Sequence, residues 1–244
     1  MNDTSASRAE HEARTTATVR ILVWDAPVRV FHWLMVASFA GAWLTAESER
    51  WRLLHVTLGY TMVGLVGFRV IWGLMGTRYA RFSTFVRSPA AVVRYLTSLL
   101  KHQPERYVGH NPAGAIAILA MLLMTLAIGS TGWAVYNGAG GEWFEELHEG
   151  VANAMLALVA LHVAAVLGSS VVHRENLVRP MITGYKSGET NEGVRSARWG
   201  VAALLVAGVI AWWWTQWQSA PQAPASNSST GAVTDRRTNA DRDD

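Results

Sequence analysis

One stretch limits what this chain can become. Glu145–Leu167 is apolar after its acidic start, long enough to cross a bilayer, and carries two histidines, His148 and His162. They stand 14 positions apart. At roughly 100° per residue that spacing falls about 40° short of four turns, so both imidazoles leave one side of the helix. At about 1.5 Å per residue they lie roughly 21 Å apart along the axis, one toward each end of a hydrocarbon core about 30 Å thick. One helix therefore offers two coordinating groups at two membrane depths. Such side chains are rare inside a membrane and mark function by default. The rest of the chain is read for a partner to each.

Composition supports the membrane setting. Half of the 244 residues are apolar, 12 are Trp and only 16% are charged, against about 25% charged in a soluble domain. There is no cysteine, which excludes disulfides, thiolate ligands and covalent Cys-x-x-Cys-His haem attachment. The formal charge of +3 sits mostly in the connections between apolar segments and reads as topology, not nucleic-acid binding. The first 20 residues lack a short apolar core with a small-residue cleavage site, so the first apolar segment is expected to stay in the membrane.

Residues 1–20 read as a flexible cytoplasmic arm, and 21–30 as a short approach in which Pro27 suits a helix start. Helix 1 is expected over 28–45, helix 2 over 51–74 and helix 3 from Asn111-Pro112 to Tyr136, stopped by Asn137-Gly138. Helix 4 extends the opening stretch to about Val172, and helix 5 covers 199–217, ending in Trp212-Trp213-Trp214. Between helices 2 and 3, Pro89–Leu100 suits a short amphipathic helix on the membrane surface. The expected fold is an all-α integral membrane protein. A four-helix transmembrane bundle fills a core domain, 21–186. A linker and fifth helix follow over 187–217, then a disordered tail over 218–244. Lys and Arg gather in the arm and in the 76–110 and 172–198 connections, whereas the 46–52 and 137–147 loops hold two and none. The N-terminus is therefore expected in the cytoplasm and the C-terminus on the outer side of the membrane.

With that topology the histidines sort by depth. His32 and His162 fall near the cytoplasmic face, His55 and His148 near the outer face. A flat macrocycle held between helices needs two axial imidazoles at equal depth, and two bis-histidine b haems fit, as His32/His162 and His55/His148. The plainer reading of any single one is a hydrogen-bonded structural histidine. Gly59 and Gly64 would let a ring lie against the backbone, or serve plain helix packing. Arg69, 14 after His55, and Arg29, one turn before His32, are candidates to pair with haem propionates. The alternatives are snorkelling for Arg69 and an ordinary positive-inside flank for Arg29. His110 reads as a helix-end surface histidine, with ligation at the inner site as the other option. His102 and His173 read as solvated, and His11 carries no signal.

Three motifs then stand in order: Val23-Trp24-Asp25-x-x-Val28-Arg29-x-Phe31-His32-Trp33, Arg69-x-x-Trp72-Gly73-x-x-Gly76-Thr77-Arg78-Tyr79-Ala80-Arg81-Phe82, and Gly109-His110-Asn111-Pro112-x-Gly114. Over about 21–186 the chain resembles the bacterial cytochrome b561 family, which includes the b-type cytochrome subunits of nickel–iron hydrogenases and is related to formate dehydrogenase gamma subunits. The resemblance implies a diheme four-helix core with one ligand from helix 1, one from helix 2 and two from helix 4. That matches His32, His55, His148 and His162. It also implies quinone exchange near the inner haem, with Asn111 and Gly114 contributing. The fifth helix and long tail depart from the family pattern.

The expected function is an electron conduit between the quinone pool and a periplasmic redox protein, a c-type cytochrome or a hydrogenase-like enzyme. It would be a non-catalytic subunit of the respiratory chain, compatible with a homodimer. The outer acids Glu47, Glu49, Glu142, Glu145 and Glu146 suit steering of a basic partner. Three rivals are a superoxide:quinone oxidoreductase needing no partner, a metal transporter using the four histidines, and a structural membrane anchor.

Overall fold

The computed structural model describes residues 19–101 and 105–219. The arm up to residue 18 with His11, His102, and the tail from 220 onward lie outside the described residues. Helix α1 (Ala26–Thr45) opens at Asp25, whose Oδ1 accepts from the Val28 backbone N–H at 2.9 Å, with Pro27 in the first turn. A single 3₁₀ turn, Glu49–Trp51, leads into α2 (Arg52–Met75). Two shorter helices follow, α3 (Phe82–Phe85) and the expected α4 (Pro89–Leu100). Helix α5 (Pro112–Tyr136) is capped by Asn111, whose Oδ1 accepts from the Gly114 N–H at 2.7 Å. It ends at Gly138, which takes the left-handed conformation (φ +64°) that closes a helix cheaply only with glycine. Then come α6 (Gly141–His173), α7 (Arg179–Thr183) and α8 (Trp199–Gln218). Five of these, α1, α2 with its leading turn, α5, α6 and α8, are long and apolar enough to cross a membrane.

The helices pack in sequence, α1 along α2, α2 along α5 and α5 along α6, while α8 lies against α1 and more lightly against α2. The Trp213 indole N–H donates to the Thr61 hydroxyl at 2.9 Å, tying α8 to α2. Helix α6 makes no extended contact with α1 or α2. Its extended packing is against α5, and it presents most of its apolar length outward.

The all-α expectation needs one correction. Strands β1 (Val19–Leu22) and β2 (Tyr185–Gly188) pair antiparallel, with Val19 opposite Gly188 and Leu22 opposite Tyr185. The cause is backbone that lies beyond the helices and still needs partners. The Val23 and Trp24 N–H groups both donate to the Gly184 carbonyl, at 2.8 and 3.1 Å. Further on, Val194 donates to Leu22 at 2.7 Å and Ala26 to Ala197 at 2.8 Å. The chain through Ala197 is thus stitched to the approach to α1, and β2 runs across residue 186, the expected edge of the core.

This ribbon closes one end of the bundle, the ribbon end; the α1–α2 and α5–α6 turns form the other, the loop end. Ile21, Val23, Trp24, Val28 and Ala80 make a buried cluster there, flanked by Trp72, Tyr79, Val108 and Met181. At its centre Asp25 is 1% exposed. Its second oxygen accepts from the Trp72 indole at 3.0 Å and the Thr77 hydroxyl at 2.7 Å. The residues of all three sequence motifs therefore meet at this end, and much of their pattern is architecture.

Candidate haem-binding sites

At the loop end two helix hairpins bring two of the candidate ligands together. His55, in the first turn of α2, donates from Nδ1 to the Ala42 carbonyl of α1 at 2.9 Å. His148 of α6 donates from Nδ1 to the Ile128 carbonyl of α5 at 3.1 Å. A carbonyl only accepts, so each bond places the proton on Nδ1 and leaves Nε2 with a free lone pair. Thr131 Oγ1 lies 3.1 Å from His148 Nδ1 and gives its own proton to the Ala127 carbonyl at 2.8 Å. The two imidazoles stand with centroids 6.1 Å apart and planes at 72°. Gly132 makes room for one of them: a Cβ there would meet His148 Cε1 at 2.9 Å. At Gly59, four residues after His55, a Cβ would meet nothing within 4 Å, and the same holds at Gly64.

At the ribbon end the arrangement is more open. His32, on α1, is half-buried, and its Nδ1 is buried with no partner among the described residues. His162, on α6, is also half-buried. The described residues show no ring contact between these two like the one at the loop end. Arg69 is 3% exposed and projects its guanidinium over Phe82 at 4.7 Å and Phe85 at 5.8 Å. Its Nη1 is buried without a partner among the described residues.

Sequence reasoning misplaced His110. It is half-buried, not solvated: its ring lies 4.4 Å from Trp24 and 4.7 Å from Phe85, and its Nδ1 is buried without a partner among the described residues. Burial, then the nearby positive Arg69 and the two imidazoles His162 and His32, push its pKa down to about 3, so it stays neutral. The local sequence Gly-His-Asn-Pro carries no sign of this, because the aromatic rings that cover it come from residues 24 and 85. Thr131 and Gly132 were missed as well; only their place on the face of α5 toward His148 marks them.

Other candidates have structural work. Arg29 donates to the Ile182 carbonyl at 2.7 Å and lies over the Trp199 ring at 5.1 Å, holding α7 and the start of α8. Asn111 spends its side-chain oxygen on capping α5. Among the described residues no three His, Asp or Glu side chains converge as a metal cluster.

Residues 23–184 match the family described as prokaryotic cytochrome b561. The chain belongs to that family. It is 26% identical over 231 residues to the probable Ni/Fe-hydrogenase B-type cytochrome subunit of Azotobacter chroococcum mcd 1, covering 75% of this chain and 95% of that protein. The like-named subunit of Rhodobacter capsulatus is 23% identical, covering 68% and 81%. The probable Ni/Fe-hydrogenase 1 B-type cytochrome subunit of Escherichia coli K12 is 27% identical over 141 residues, covering 47% and 60%. No solved structure matches the chain. This cytochrome b561 is thus a multi-pass membrane protein of electron transfer, and its family implies haem b.

The residues present fit that group. Two imidazole nitrogens each about 2 Å from one shared metal put ring centroids about 6 Å apart, close to the 6.1 Å of His55 and His148. A carbonyl accepting from Nδ1 is the usual way of aiming a ligating imidazole. Helix α6 makes no extended contact with α1 or α2, and a Cβ at Gly59, one turn after His55, would meet nothing within 4 Å. At the ribbon end His32, Arg69 and His110 each leave a buried polar atom without a partner among the described residues.

Proposed function

We propose that this cytochrome holds two haem b groups, one ligated by His55 and His148 and one by His32 and His162. It would pass electrons between a periplasmic redox partner and the quinone pool. The observation that carries the reading is the loop-end pair, two carbonyl-oriented imidazoles 6.1 Å apart on helices that otherwise stay separate. The matching 14-residue spacing on α6 extends the same logic to the other end. When bound, haem supplies a reversible one-electron iron couple.

The chain's own residues do the rest. Helices α2, α5 and α6 bury the ligands, Gly59 and Gly132 keep space open, and Ala42, Ile128 and Thr131 aim the loop-end rings. Arg69 supplies positive charge at the ribbon end. Quinone exchange is assigned to that end, beside the segment before α5. The membrane would be the bacterial inner membrane, with the ribbon end toward the cytoplasm. A partner of hydrogenase type follows the names of the relatives; a c-type cytochrome suits the same face. Glu47, Glu49, Glu142, Glu145 and Glu146 are all exposed at the loop end and suit steering of a basic partner.

The test is a reduced-minus-oxidised spectrum with pyridine haemochrome quantification on the wild type and the four His→Ala variants. Two b haems per chain are expected. Losses should group His55 with His148 and His32 with His162. A single haem per chain, or losses that ignore this grouping, would overturn the assignment. Steering predicts that transfer to the partner slows as salt rises; a rate insensitive to ionic strength rules it out.

A further inference from the structure

We infer that Arg69 and His110 together form a buried carboxylate clamp at the ribbon end, and that its occupant is a propionate of the haem assigned above to His32 and His162; the inference rests on that assignment. Three observations converge. Arg69 is a cation at membrane depth, 3% exposed, with Nη1 unpartnered and only aromatic faces beside it. Among the described residues no acidic side chain pairs with it. Asp25 stands at the same end, but its charge reaches Arg69 only through space: its two oxygens accept from Val28, Trp72 and Thr77, and among the described residues no ion pair joins it to the guanidinium. A guanidinium left bare in such a place is costly, and one anion removes the cost.

His110 gives the second half. Its Nδ1 is also buried and unpartnered, and its ring lies against Phe85, the same phenyl that lies beneath the Arg69 guanidinium. Two orphaned polar groups beside one ring ask for a ligand that accepts twice and brings one negative charge. An ionised carboxylate has two accepting oxygens and a single charge. A quinone carbonyl accepts but brings no negative charge into contact with Arg69, and a phosphate brings more charge than one guanidinium offsets. A propionate is the carboxylate that haem b itself carries into the pocket. His110 is on this account a positioning residue, supplying one hydrogen bond to the oxygen that Arg69 does not hold.

The test uses the full-length holoprotein in nanodiscs. Cells fed carboxyl-labelled aminolevulinate place the isotope in the haem propionates, and redox-difference infrared spectra then show propionate bands by their isotope shift. In the wild type the labelled bands belong in the ionised carboxylate region. Arg69→Gln moves part of that intensity to the protonated acid region, Arg69→Lys keeps it ionised, and His110→Phe shifts the ionised bands without protonating them. Labelled bands unchanged in both Arg69→Gln and His110→Phe, with haem content retained, would overturn the clamp. If Arg69→Gln sheds the haem, His110→Phe keeps the guanidinium and decides alone, unchanged bands again overturning it. Failure of the underlying assignment shows separately, as a missing ribbon-end haem in the wild-type haemochrome count.

Discussion

At the loop end two imidazoles stand 6.1 Å apart, each tied through Nδ1 to a backbone carbonyl; at the ribbon end His32 leaves its Nδ1 unpartnered and makes no such ring contact with His162 among the described residues. The difference follows from connectivity. The α1–α2 and α5–α6 hairpins close at the loop end through short turns, so a carbonyl on one arm reaches a side chain on the other, as Ala42 reaches His55 and Ile128 reaches His148. At the ribbon end the same helices part into long connections. Order there comes from side chains far apart in sequence: Trp24, Arg69, Phe85 and His110. One site is aimed by local backbone, the other by assembled side chains. The second has orphaned polar atoms that a bound group can use.

The largest test of this contrast removes a ligand. His148→Ala should halve the haem-to-protein ratio, His55→Ala should remove the same haem, and the double variant should remove no more than either alone. A double variant that loses all haem would mean that the two ends are not separate sites. Next in size are the glycines. Gly132→Leu drives a side chain into the His148 ring and should weaken loop-end haem retention roughly tenfold or more, the scale of losing a group that holds a ligand in place. A Cβ at Gly59 meets no protein atom within 4 Å, so Gly59→Leu should weaken haem retention while leaving the haem-free fold intact. Haem dissociation rates alongside circular dichroism separate the two. If Gly59→Leu holds haem as the wild type does, the empty space there is not where the macrocycle lies.

What the sequence made legible follows the same line. Helix periodicity, Asn-Pro starts and Asn-Gly stops are local, and the five long helices and α4 fall where those signals put them, within one residue at most ends, two at the start of α1 and four at the start of α6. His148 and His162 stood out through their spacing along one helix, His32 and His55 through the depth that the topology gives them. The ribbon was not, because two four-residue strands with no alternating pattern pair across more than 160 positions. His110 was misread for a related reason: its burial depends on rings at positions 24 and 85, which its own neighbours do not announce. Motif residues such as Asp25 and Trp72 drew attention as family marks, and the structure gives them an architectural task.

That task yields the next prediction. Asp25→Asn keeps the shape of the side chain but replaces one acceptor oxygen with a donor, facing the donors of Val28, Trp72 and Thr77. It should cost on the order of 1–3 kcal/mol, read as a lower thermal midpoint in detergent. It should disturb ribbon-end haem binding first. If the loop-end haem is lost at the same temperature as the ribbon-end haem in this variant, the two ends unfold as one unit and their independence is limited to ligation.

The smallest effect probes the loop-end aiming itself. Thr131 Oγ1 gives its proton to the Ala127 carbonyl at 2.8 Å, so toward His148 Nδ1, 3.1 Å away, it can only accept. It therefore shares the imidazole N–H with the Ile128 carbonyl. An acceptor on that N–H makes the ring a more basic ligand and favours the more positive iron. Thr131→Val keeps the shape of the side chain and removes the acceptor, leaving Ile128 to fix the tautomer. The loop-end midpoint potential should rise by on the order of tens of millivolts, and the ribbon-end potential should not move. Spectroelectrochemistry resolves the two couples. Equal movement of both would show that Thr131 acts through the bundle as a whole and not through the nitrogen of one histidine.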